Sequence, residues 1–172
     1  QFVDFKSVLG KIAINPTEKI VSGDVIYDFE VLKPIDTIKI DAQNMTFSNI
    51  KVNGKSISFL NTTKQLQLIF PFKKGKNKLT FEYSAKPKQT MYFVGSEENN
   101  NLEIWTQGQG KYTSHWFPSF DDVNEKVVFN LNIVFNKDYQ VISNGLLQFK
   151  SKLDGLCVWN YRMQKPMSSY LL

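Results

Sequence analysis

Apolar residues recur at every second position along most of this chain, a period that belongs to strands and not to helices. Residues 3 to 14 read as a first strand, ending in Ile12-Ala13-Ile14 and stopped at Asn15-Pro16. Residues 19 to 32 read as a long second one. There Gly23, Val25, Tyr27, Phe29 and Val31 share one face, while Asp24, Asp28 and Glu30 share the other. One apolar and one charged face describe a half-exposed antiparallel strand. Pro34 breaks it, and Ile38-Lys39-Ile40 resumes. Asn53-Gly54 lies between Ile50-Lys51-Val52 and Ile57-Ser58-Phe59, the pairing expected of a hairpin whose turn needs two positive φ values. Leu66, Leu68 and Phe70 alternate, as do Leu79, Phe81 and Tyr83, with Pro71 and Gly75 as punctuation between them. Residues 85 to 90 read as a Lys/Pro loop, and residues 95 to 101 as an exposed, mobile polar loop. Strand alternation returns at Leu102, Ile104 and Thr106, and again at Val127, Phe129, Leu131, Ile133 and Phe135, with Asn130 and Asn132 on the opposite face. Cys157, Trp159, Tyr161 and Met163 form another such set. Only Tyr112 to His115 has the look of a turn of helix. Many short strands with regular turn signals predict an all-β fold, an antiparallel β-sandwich or saddle of sheets.

Composition agrees and removes several functions. The chain has 172 residues, enough for one domain that buries roughly 70% of its unfolded surface. It is rich in Phe and in β-branched residues, which favour sheets. No run of about 18 apolar residues exists, so no membrane span is expected. The net charge of +5 comes from lysines spread through turns, densest at Lys73, Lys74, Lys76 and Lys78. Arg162 is the single arginine, and aromatics do not interleave with the lysines as in a nucleic-acid groove. That cluster reads as a solvated hairpin turn that discourages edge pairing. One cysteine, Cys157, forms no internal disulfide and falls in an apolar alternation, which makes it a core thiol. A zinc site needs three or four ligands. Cys157 and the one histidine, His115, do not supply them, so no metal is expected on this chain. Asn44-Met45-Thr46 and Asn61-Thr62-Thr63 match glycosylation acceptors.

The chemically distinctive stretch joins two of these strands. Gln107-Gly108-Gln109-Gly110 sets two amides beside two residues without side chains. Glycine at a strand end marks a bulge or a place where another backbone comes close. The glutamines offer donors and acceptors without charge. On chemistry alone this is either a bulged strand end with solvated amides or a ledge that receives a ligand's backbone or amine. Asp121 and Asp122 are adjacent and so point apart. They read as capping or salt-bridging residues and not as an acid/base pair. Trp105, Trp116 and Phe117 read as core residues beneath the ledge.

Thr106-Gln107-Gly108-Gln109, followed without a gap by Phe117-Pro118-Ser119-Phe120-Asp121-Asp122, Lys126 and Phe129, resembles the N-terminal domain of the zinc aminopeptidases related to aminopeptidase N and leukotriene hydrolase. Their pattern runs Thr-Gln-x-Glu/Gln, a spacer, Phe-Pro-Cys-Phe-Asp-Glu-Pro, then Lys and an apolar strand. Ser143-Asn144-Gly145 and Pro166-Met167-Ser168-Ser169-Tyr170-Leu171 fit later motifs of that family. Departures are Ser119 for Cys, Asp122 for Glu, Val123 for Pro, and Ser114 at a position often Arg. The resemblance implies an N-terminal substrate-lining and capping domain, inactive alone. Its partners would be peptide substrates and its own catalytic domain in cis, with zinc held by that other domain. Gln109 falls on the Glu/Gln position that reaches the substrate's free amine, and Gln107 on its neighbour. The closing Tyr170-Leu171-Leu172 reads as the start of a further strand, and the chain as a piece of a longer enzyme. Two alternatives stay open at this point: the scaffold domain of a non-catalytic relative, and a free-standing adhesive or carbohydrate-binding sandwich.

Overall fold

A computed structural model describes the backbone of residues 1–172 and every side chain except that of Leu153. The strands are β1 (Val3–Asn15), β2 (Ile20–Val31), β3 (Ile35–Asp41), β4 (Met45–Val52), β5 (Lys55–Ser56), β6 (Ser58–Asn61), β7 (Gln65–Phe72), β8 (Gly75–Ala85), β9 (Met91–Val94), β10 (Glu103–Thr106), β11 (Lys126–Asn136), β12 (Leu146–Leu153), β13 (Leu156–Arg162) and β14 (Met167–Ser168). Two short 3₁₀ turns complete them, η1 (Thr113–His115) and η2 (Ser169–Leu171). The all-β expectation holds.

The large sheet runs β12-β13-β11-β1-β2-β8-β4-β5, with β14 beside β11. Every pairing in it is antiparallel except β1 with β11, where Ser7 faces Val128 and Ala13 faces Val134. A small sheet, β3-β7-β6, and the hairpin β9–β10 complete the fold. Alternation decides which face is buried. Val25, Tyr27, Phe29 and Val31 of β2 are buried, as are Leu79, Phe81 and Tyr83 of β8. The small sheet lays Ile38, Ile40, Leu66 and Leu68 into the same core, and the Phe29 and Phe72 rings meet edge to face across the join at 6.0 Å. A second, smaller core lies at the β11–β13 end, around Phe135, Cys157, Trp159 and Tyr161. Cys157 is the buried thiol its alternation predicts.

Three local expectations change. Asn53 (φ 50°) and Gly54 (φ 80°) do make the turn with two positive φ values, but the return strand pairs with β4 only over Lys55 and Ser56. It then crosses to the small sheet as β6, where Phe59 faces Leu68. The Lys73–Lys74 turn likewise is no hairpin. It carries the chain from β7 in the small sheet to β8 in the large one. Residues 169 to 171 form a 3₁₀ turn and not the start of a strand. In the first two cases the period of two is right, but it does not say which sheet a strand joins.

The space between the sheets is filled by a loop. Trp116, Phe117 and Phe120 are buried there, and Phe117 is fully enclosed. Its ring lies under Gly10, where a Cβ would come within 3.0 Å of Phe117 Cε2. It meets Tyr83 edge to face at 6.0 Å and Phe129 at 6.2 Å. Phe120 sits on Phe5, with ring centroids 4.3 Å apart. Phe117→Ala removes a fully buried ring at the centre of this join. Urea unfolding of this chain should show a loss of about 3–5 kcal/mol.

Candidate functional site

A buried loop must find partners for its backbone groups inside the protein, because water cannot reach them. Residues 113 to 120 meet this demand from three sides. From the small sheet, the Asp41 and Gln43 N–H groups donate to Ser119 O (2.9 Å) and Ser114 O (2.7 Å), and Ser119 N donates back to Asp41 O (3.0 Å). From the large sheet, the Tyr27 hydroxyl donates to Pro118 O at 2.7 Å. Burial pushes the Tyr27 hydroxyl well above its ordinary range, so it remains a donor. From the C-terminal segment, Ser169 Oγ donates to Phe120 O, and Thr113 Oγ1 donates to Ser169 O at 2.8 Å. Ser168 Oγ reaches Val123 O at 2.6 Å just beyond the loop. Thr113, Ser114 and Ser119 are fully buried.

The glutamine ledge is built on this loop. Gln107 N donates to Thr90 O at 2.8 Å, prolonging the β9–β10 hairpin. Thr90 Oγ1 in turn donates to Tyr112 O at 2.8 Å, and Tyr112 N donates to Gly108 O at 3.2 Å. Gly108 is buried where a side chain could not fit. A Cβ would run into Thr113 Oγ1 and come within 2.6 Å of Tyr170 O. The expectation of a close backbone approach at this glycine is met by Tyr170. Gly110 (φ 92°) and Lys111 (φ 72°) then turn the chain back into the loop. With Gly108 pinned, its neighbours Gln107 and Gln109 are exposed. Both line one open depression of about 480 Å³, whose lining also includes Asn144, Tyr170 and Leu171. An apolar groove of about 360 Å³ adjoins it, sharing Thr106, Asn144 and Leu172.

Trp105 corrects one expectation. It is 46% exposed and stacks on Tyr92 across the hairpin at 4.3 Å. Ile104 and Thr106 take the inward positions of β10, so Trp105 has to point out. Trp116 and Phe117 do lie in the core beneath the ledge. Sequence reasoning missed β9, the Thr90 anchor and the part Asn144 and Tyr170 play in the depression. Met91-Tyr92-Phe93-Val94 has no alternation to reveal a strand, and nothing local to Asn144 indicates that it lines the same depression as residue 109.

The two aspartates divide their roles. Asp122 Oδ1 accepts the Asn124 N–H at 2.9 Å and caps a turn. Asp121 forms no ion pair. Its Oδ2 accepts the Ser114 hydroxyl at 2.9 Å, its own N–H donates to Asp41 Oδ2 at 2.9 Å, and its Oδ1 is buried without a partner among the described residues. Burial pushes the Asp121 carboxyl up to about 6. The Asp41 carboxylate pushes the same way, while Ser114 hydrogen bonds and the Lys111 charge oppose it.

A zinc ion does not fit this chain's own donors. His115 Nε2 lies 2.8 Å from the Gln89 amide nitrogen. That contact engages His115 Nε2, and burial lowers the His115 pKa, which favours the neutral ring. Cys157 is enclosed in the second core. Among the described residues, no three His, Cys, Asp or Glu side chains gather as a metal site.

The family model described as the peptidase M1 N-terminal domain matches residues 10–171. The chain is 25% identical over 137 residues to a leucyl aminopeptidase of Saccharolobus solfataricus, covering 80% of this chain and 18% of that protein. It is 24% identical over 166 residues to aminopeptidase N of Lactococcus lactis, covering 92% of this chain and 19% of that protein. The chain thus spans about a fifth of the length of these relatives. Its fold is similar to that of an M1 zinc metallopeptidase from Deinococcus radiodurans, with a TM-score of 0.87 at 15% identity, over 99% of this chain and 41% of that one. A form of that metallopeptidase bound to a Tyr-Ser-Ala substrate matches with a TM-score of 0.86.

Two measurements test this geometry. Gly108→Ala should destabilise the chain by about 2–4 kcal/mol in urea unfolding, because the clash is with backbone and a buried hydroxyl; Gly54→Ala, in open space, should cost less. For Asp121, the folded chain holds its proton up to about pH 6, whereas an unfolded chain releases it near 3.8. The folded state therefore binds more protons in that window, and stability falls as pH rises from about 4 to about 6. Burial raises Glu125 as well, so Asp121→Asn should reduce this slope and leave the Glu125 part. A slope unchanged in Asp121→Asn would contradict the assignment.

Proposed function

Because the chain belongs to the peptidase M1 N-terminal domain family, we propose that it caps a zinc-dependent aminopeptidase and lines one wall of its substrate site. Gln109 accepts a hydrogen bond from the substrate's free amine through Oε1, and Gln107 lines the same wall. The zinc and the catalytic groups belong to the catalytic domain in cis, and the isolated chain is inactive. Peptides that present a free N-terminus are the substrates. The observation that carries this reading is the placement of Gln107 and Gln109, exposed on one depression and fixed by the buried Gly108 between them.

Among the described residues no helix is long and apolar enough to cross a membrane, and no span enters the proposal. The departures from the aminopeptidase pattern bear on how the loop is held. Ser114 and Ser119 are fully buried in it, and Asp122 and Val123 lie at its exit. None of them lies on the ledge, so they do not favour a scaffold without catalysis.

A neutral amide gives a weaker grip on an ammonium than a carboxylate, whose charge-assisted hydrogen bond is roughly twice as strong. In the full-length enzyme, Gln109→Ala should raise KM for an aminoacyl p-nitroanilide and lower kcat/KM by about tenfold. Gln109→Glu should lower KM. Kinetics unchanged by both would remove Gln109 from the site.

A further inference from the structure

Resting on that reading, we infer that Asn144 is a specificity-determining residue of the same depression, its Oδ1 a second neutral acceptor, beside that of Gln109, for the substrate's ammonium. The inference starts from how firmly an exposed side chain is held. Asn144 Nδ2 donates to Leu171 O at 3.1 Å. A carbonyl can only accept, so the amide's orientation is settled: NH₂ toward Leu171, and Oδ1 turned the other way. The backbone around it is fixed as well. The Tyr161 hydroxyl donates to Val141 O at 2.8 Å, anchoring residues 141–144 to the second core. Gly145 (φ 92°) packs so tightly on the end of β13 that a Cβ would run into the Arg162 carbonyl and lie within 2.8 Å of Met163 N.

The result is an oriented acceptor on a rigid support, which a binding site requires if little ordering is to be lost on binding. It lies on the depression that Gln107 and Gln109 line. No Asp, Glu, Lys or Arg lines that depression, so its polar side chains are neutral: the amides of Gln107, Gln109 and Asn144 and the hydroxyls of Thr106 and Tyr170. A primary ammonium carries three N–H donors, and Gln109 answers one. Oδ1 of Asn144 answers another. On this chain's part of the site the cation meets dipoles alone, and a carboxylate introduced at either position would tighten the grip.

The test uses the full-length zinc enzyme that carries this domain, with L-leucine p-nitroanilide as the probe. Asn144→Ala should raise KM about three- to tenfold with kcat within about twofold, the size expected for one hydrogen bond to a charged group at a solvent-accessible site. Asn144→Asp should lower KM at pH 7, and that gain should shrink as salt rises. A merely structural role predicts otherwise: both variants lose the donor to Leu171 O, so both would raise KM together. That outcome, or KM unchanged in both while Gln109→Ala raises it, overturns the assignment of Asn144 and leaves the role of Gln109 standing. If Gln109→Ala also leaves KM unchanged, the amine-binding ledge falls and this inference falls with it.

Discussion

The fold depends on a loop that has to give up water. Residues 113 to 120 fill the gap between two sheets, and their aromatic rings supply the apolar contact that neither sheet makes alone. That position leaves the loop's carbonyls and N–H groups with no solvent, and an unpaired buried backbone group costs about as much as a lost hydrogen bond. The chain answers with partners drawn from distant parts of the sequence: Asp41 and Gln43, the Tyr27 hydroxyl, and Ser169. Each partner belongs to a different element. Satisfying the loop therefore ties the small sheet, the large sheet and the C-terminal segment to one another.

The ledge inherits its rigidity from this arrangement. Thr113 faces both ways, closing one end of the loop through Ser169 O and blocking any side chain at residue 108. Gly108 is therefore buried and its two neighbours are held outward. A protein that only needed a strand end here could use solvated polar residues and a loose turn. This one uses buried hydroxyls to fix the backbone from which two exposed glutamines project. Asn144, on the same depression, is held by Gly145 and Leu171 O.

Much of the fold was legible because period-two alternation survives nearly everywhere: Val25 to Val31, Leu79 to Tyr83 and Val127 to Phe135 all bury the face their pattern marks. Sheet membership was not legible, because the same alternation suits a strand in either sheet; β6, exposed along its length, is placed by its pairing with β7, and the Lys73–Lys74 crossover by the pairing of β8 with β2. Residues 169 to 171 left the strand pattern because the Ser169 carbonyl and hydroxyl are occupied in closing the turn and the loop. Trp105 was misplaced by size, since a large aromatic reads as core, although its neighbours at 104 and 106 already held the inward positions. At the ledge, the close backbone approach at Gly108 was legible from the glycine itself, while the assignment of Gln107 and Gln109 to a substrate's amine comes from the family resemblance and is a proposal. Asn144 and Thr90 were not legible, because their relation to the ledge exists only across the chain's tertiary contacts.

The central claim, that the ledge faces a bound substrate's amine, has one direct test: a crystal structure of the full-length protein with an unhydrolysed peptide in its zinc site. The account predicts the ligand's N-terminal nitrogen within about 3.2 Å of Gln109 Oε1, with the ledge closing over the metal-bearing domain. A ligand amine held entirely by that other domain, with residues 107 to 109 turned to open solvent, would contradict it.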